Sequence, residues 1–259
     1  MFFFFSIPVM LFTGFLWFIL TLLPLVLLQR LLHREILAFF LILTRSPKAA
    51  IALFSLMLLP GVFLHELSHF LMAKFLRVPT GRFSLLPKPL PKGMVQMGFV
   101  EIGRTDIVRD SLIGAAPLFT GSLFLYIAGI DRLRLDVLLN LFAAGQFGLF
   151  WRGLVLLPQT ENFLLWFYLA FAVSSAMLPS EPDRHSWLPL GLWAAVLLAL
   201  AIFGGAGGWL LENIAPVLNV LFGSMALLFG LSVALHVALL LPFLLFHRLA
   251  AKITGIDVR

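Results

Sequence analysis

The run PGVFLHELSHFLMAKF, residues 60–75, ends an apolar stretch that begins near residue 49, and it carries His65, Glu66 and His69 in its middle. A helix needs about 20 mostly apolar residues to cross the hydrocarbon core of a bilayer. Residues 49–76 therefore read as a spanning helix that holds groups which a membrane excludes. The remainder of the chain has the same character. Of its 259 residues 61% are hydrophobic, 28 are Phe, only 12% are charged, and the mean hydropathy is +1.06. Soluble domains run near half apolar and a quarter charged, so this composition belongs to a surface that faces lipid. A transmembrane barrel would need alternating strands of about ten residues, whereas the apolar runs here are far longer. The expected fold is an all-α polytopic membrane protein.

The same ruler places spans at 3–28, 49–76, 111–130, 137–157, 162–179, 187–204 and 212–246, giving six or seven helices. The last is too long for one crossing and is expected to break or re-enter near Gly223. REILAFFLILTR (34–45) is too short to cross and either prolongs the first helix or lies at the interface. The N-terminus lacks the basic flank and cleavage site of a signal peptide and is expected to remain as the first span. Residues 1–259 read as one integral membrane domain with an N-terminal helix and basic loop (1–48), a core (49–185) and C-terminal helices (186–259). Between the second and third spans, 77–110 is the one sizeable polar region. PKPLPKG there is Pro-punctuated, and a strand over 94–102 or a hairpin within about 80–105 is expected at the membrane surface. The glycine-rich FGGAGGW (203–209) reads as a flexible turn between helices.

The net charge of +6 comes mostly from Lys and Arg between apolar runs, where they meet lipid headgroups; no nucleic-acid partner is indicated. Basic residues flank both sides of the second span, so the positive-inside rule sets no orientation. The chain has no Cys, which leaves His and carboxylates as the available metal ligands.

His65, Glu66 and His69 form H-E-x-x-H. Two histidines at i and i+4 lie on one helix face a turn apart, so both imidazoles can reach one tetrahedral Zn²⁺, and Glu66 is placed to take a proton from the attacking water and return it to a leaving amine. With six His in the chain, chance would supply this pattern only about 0.003 times. Ionisable groups within a span default to function. A catalytic zinc requires a third protein ligand. The segment SSAMLPSEPDRHSW (174–187) offers Glu181, Asp183 and His185 after a helix end, of which Asp183 is the favoured choice. Ser68, Thr120, Ser174 and Ser175 are candidates for a water path. Asn140, Gln146 and Arg152 read as interhelical or snorkelling groups, and His236 as a packed, hydrogen-bonded histidine.

FLHELSHFLMAKFLRV, then IGAAPLFTGSLFLY (113–126), then AMLPSEPD (176–183) resemble in order the three signatures of the site-2 proteases, the intramembrane zinc metalloproteases of peptidase family M50. Ala116 stands where that family has a glycine, Ala176 where it has an asparagine, and Arg184 where a glycine follows the aspartate, so the resemblance is to a distant branch. It implies a three-helix core over about 49–185, zinc held by His65, His69 and Asp183, and Glu66 as general base. The implied reaction is hydrolysis of peptide bonds within or next to spans of membrane-protein substrates, in a multi-pass protein of a prokaryotic cell membrane. A substrate segment must unwind to be cut. The strand at 94–102 is expected to receive it by strand addition, with Met94, Gln96 and Gly98 as contacts. Two alternatives stand beside the protease: a silent relative that binds membrane segments, and a metal-ion transporter.

Overall fold

The computed structural model describes residues 3–89 and 95–255, with side chains described for 13–87 and 97–255. Helix α1 runs unbroken over Phe3–Thr44. The stretch at 34–45 thus prolongs the first helix, which ends where Arg45 turns left-handed (φ 53°) and Ser46 caps α2 (Pro47–Met57), its side chain accepting from Ala49 N. Glu35, the one acidic residue of α1, is paired. Buried Glu35 accepts from Arg34 at 2.8 Å and from His247 Nδ1 at 2.6 Å.

The expected span 49–76 is not one straight helix. It breaks at Leu58 and bends by 69° into α3 (Leu59–Phe75). Pro60 explains the break, since it lacks an N–H and crowds the preceding turn. An exposed carbonyl at such a break is costly in lipid, and Tyr168 meets the need by donating its hydroxyl to Met57 O at 3.0 Å.

The polar region forms β1 (Thr80–Ser84), β2 (Lys88–Pro89), β3 (Val95–Gln96) and β4 (Phe99–Ile102). β1 pairs antiparallel with β4, and β2 with β3. The single strand expected over 94–102 is therefore two short strands in separate ladders, split at Met97–Gly98; Met94 lies outside the described residues. Helix α4 (Ile107–Tyr126) starts at Asp106, whose carboxylate accepts from the backbone N–H of Arg109 and Val108. The Arg109 N–H foremost holds that carboxyl below its ordinary range. A π-helical turn, Ile127–Arg132, continues α4.

The expected span 137–157 is also corrected. It consists of two short helices, α5 (Leu135–Ala143) and α6 (Phe147–Leu156), separated by a turn in which Gly145 takes φ 69°. Asn140, Gln146 and Arg152 are exposed on them. α7 (Phe163–Ala176) meets the α6 segment at 100°. α8 (Trp187–Ala201) passes through a π turn with Gly205 at φ 90° into α9 (Gly207–Asn213), so the glycine-rich stretch kinks a helical run instead of forming an open turn.

The break expected at Gly223 does not occur: α10 runs unbroken over Ala215–Thr254. Gly223 lies against Gly14 of α1, where a Cβ would sit 3.8 Å from the Gly14 Cα. It serves close approach of two helices, and the break falls at Ile214, ahead of Pro216. Four helices among the described residues are long and apolar enough to cross a membrane, or up to six if each bent pair is one span, against the six or seven expected. The chain is thus consistent with a multi-pass membrane protein.

Two layers position the site. α1 and α10 pack along each other, while α3, α4 and α7 are in mutual contact. Phe229, Leu25, Leu125 and Ala170 join the layers in a buried cluster. α3 crosses α7 at Gly61, where any Cβ would collide with the Ala172 carbonyl. Gly61→Ala is expected to cost about 1–3 kcal/mol by forcing the helices apart, measurable as a lowered unfolding midpoint.

Candidate metal centre

His65 and His69 project from one face of α3 with their Nε2 atoms 3.1 Å apart. Asp183 reaches them from the turn that follows α7, with Oδ1 3.2 Å from His69 Nε2 and Oδ2 3.6 Å from His65 Nε2. Among the described residues this is the one group of three or more His or carboxylate side chains positioned to hold a metal ion.

The outer nitrogens fix the inner ones. His65 Nδ1 lies 2.6 Å from Ala176 O, and His69 Nδ1 lies 2.8 Å from Ile113 O. A carbonyl oxygen only accepts, so each Nδ1 carries a proton, and each Nε2 turns inward as the atom that can offer a lone pair to a cation. Both Nε2 atoms and the carboxylate then converge on one point, where a cation lying between them would meet all three. Two imidazole nitrogens and a carboxylate oxygen are a donor set that a catalytic zinc uses, and one such atom from each residue lies within 4.8 Å of the others. The residues present fit Zn²⁺.

Both supporting carbonyls are available for a reason written in the sequence. Ala176 is the last residue of α7, where carbonyls lack helical partners. Ile113 lies four residues before Pro117, inside α4; Pro117 has no N–H to give it, so the carbonyl is free for His69. Such supporting hydrogen bonds set ligand orientation and basicity and are worth about 10–100-fold in metal affinity. Pro117→Ala restores an N–H that competes for Ile113 O. Zinc affinity is expected to fall about tenfold while the helix is retained, as read by competition with a chromogenic chelator and by circular dichroism.

Asp183 is held from behind. Its Oδ2 accepts from Ser180 N at 2.7 Å and Ser180 Oγ at 2.6 Å, within a turn tightened by the 3₁₀ segment Pro182–Arg184. The Asp183 carbonyl rests on Gly114, where no Cβ fits. The two alternative ligands are turned elsewhere: Glu181 is exposed, and His185 faces Asp110 with Nδ1 3.3 Å from Oδ2.

Glu66 is 8% exposed and borders a cavity of about 360 Å³ shared with His65, His69 and Asp183. Residues 97–100 form another wall. Gly98 lies directly on Glu66, since a Cβ there would come within 2.9 Å of Glu66 Cγ; the Gln96 side chain lies outside the described residues. Of the proposed water-path residues, Ser68, Thr120 and Ser174 donate to their own helix backbones. Ser175 Oγ is 3.2 Å from Nε2 of His236, which is fully buried and bonded to Ser232 O.

Gln29 and His33 line the cavity and were missed by a first span drawn to end at residue 28. Gln29 donates to Ser175 O at 2.6 Å. Their i, i+4 spacing would have marked one helix face had the helix been extended. No family model, curated protein or solved structure matches the chain.

Proposed function

We propose that the chain is an intramembrane zinc metalloprotease of the site-2 protease type, cutting peptide bonds within or next to membrane spans of other proteins. The observation that carries this reading is the convergence of the His65 and His69 Nε2 atoms and the Asp183 carboxylate beside Glu66 in one cavity. Zn²⁺ held there would supply a Lewis acid that acidifies water and polarises a carbonyl.

The chain's own residues do the rest. The Glu66 carboxylate takes a proton from the attacking water and delivers it to the leaving nitrogen. His65 and His69 hold their Nδ1 protons on backbone carbonyls, which leaves each Nε2 as the atom that would meet the ion. A substrate segment unwound into an extended strand lies along residues 97–100, which face the ligands across the cavity. Gly98 gives its backbone close approach to Glu66. α3 supplies His65 and His69, α7 and α4 supply the two supporting carbonyls, and the turn after α7 supplies Asp183.

A transporter would need successive binding sites along a path. A single three-ligand group among the described residues favours the enzyme. The test is cleavage of a tagged single-span protein by the purified chain reconstituted in vesicles. Chelation is expected to abolish cleavage and added Zn²⁺ to restore it; cleavage indifferent to chelator contradicts the proposal.

A further inference from the structure

A second cavity of about 360 Å³ adjoins the first, sharing Gln29, His33 and Leu178 as a common wall. Its floor is apolar, built by Leu22 and Val26 of α1, Leu118 of α4 and Phe229 of α10. Its polar lining comes from Gln29, Arg30, His33, Arg184 and Trp187. His33 Nε2 and Trp187 Nε1 are buried without a hydrogen-bond partner among the described residues, and both residues line this cavity. Arg30 and Arg184, both exposed, contribute two guanidinium groups. Arg184 Nε donates to Ser180 O at 3.2 Å, and neither arginine meets a carboxylate among the described residues. No Asp or Glu lines the cavity.

Two guanidiniums without counter-charge are costly beside lipid. A ligand that relieves both must bring an anionic, acceptor-rich head, and the floor calls for an apolar tail. Beside the cavity, α8 begins at Trp187, has no buried residue along its length and belongs to a stretch apolar enough to cross a membrane, the side from which a lipid would enter.

We infer that this cavity is a binding site for an anionic phospholipid, with the phosphate at Arg30 and Arg184 and an acyl chain on the Leu22–Phe229 floor. Basic recesses between membrane helices hold anionic headgroups by the same chemistry. The bound lipid would close the side of the first cavity that Gln29, His33 and Leu178 share. The inference does not depend on the proteolytic reading, and neither metal nor cleavage enters its test.

The purified chain in neutral detergent is titrated with phosphatidylglycerol, with phosphatidylcholine of the same acyl chains, and with inorganic phosphate alone. Unfolding temperature and lipid retained in native mass spectrometry are recorded. Phosphatidylglycerol is expected to raise the unfolding temperature by about 5–10 °C near saturation and to stay bound, while the other two do neither. The pair R30Q/R184Q loses the rise, and R30K/R184K keeps most of it. Leu22→Trp, which fills the floor without touching an arginine, loses it as well. An equal rise with phosphatidylcholine, the whole rise with inorganic phosphate, or an undiminished rise in either R30Q/R184Q or Leu22→Trp overturns the proposal.

Discussion

Glu66→Gln is expected to retain one Zn²⁺ per chain and to lose peptide cleavage by about 10²–10⁴-fold, the usual contribution of a positioned acid–base group. The substitution keeps shape and volume, so the close contact with Gly98 survives. His65, His69 and Asp183 keep their mutual distances because none of their hydrogen bonds runs through Glu66. Only the ability to accept and return a proton is removed. Metal analysis and the tagged-substrate assay, run on the same preparation, separate the outcomes. Retained zinc with full cleavage would remove Glu66 from its role; lost zinc would make it a structural support of the ligands.

Asp183→Ala carries the second large effect. Zinc affinity is expected to fall by more than about 100-fold, since supporting partners alone are worth about 10–100-fold and Asp183 is proposed to meet the ion directly. The remaining imidazoles still face each other at 3.1 Å, but no anion balances the charge of a cation between them. Glu181→Ala and His185→Ala are expected to bind zinc as the unaltered chain does, because one is exposed and the other is turned to Asp110. Competition with a chromogenic chelator measures all three. Undiminished affinity in Asp183→Ala would transfer the third ligand elsewhere.

How much of this was legible in the sequence differs from element to element. The helical period put His65 and His69 on one face without any tertiary information, because their spacing lies within a single turn. The third ligand was legible only as a choice among three residues, for the selection depends on which way a turn points. That direction comes from Ser180 and from the carbonyl contact at Gly114. Pro117 and Ala176 were visible as residues, but their supporting role depends on another helix arriving at their neighbours' or their own carbonyls.

Span boundaries failed where composition alone was the guide. Hydropathy reads the apolar run at 137–157 as one helix because it is blind to the left-handed Gly145. It also makes Gly223 a break when the missing side chain is used for contact with Gly14. Ending the first span at residue 28 hid Gln29 and His33, although the helix continues through Arg34 and Glu35, where buried Glu35 pairs with exposed Arg34 and with His247. Period-two patterning suggested a strand at 94–102 but carried no sign that it would divide at Gly98 to pass over Glu66.

The most direct measurement is X-ray absorption at the zinc edge on the purified, zinc-loaded chain. Two imidazole nitrogens and one carboxylate oxygen at about 2.0–2.1 Å are predicted, with one imidazole lost in His65→Ala and the carboxylate lost in Asp183→Ala. A first shell of oxygen alone, or a spectrum that neither substitution alters, would contradict a cation gripped between α3 and the turn after α7.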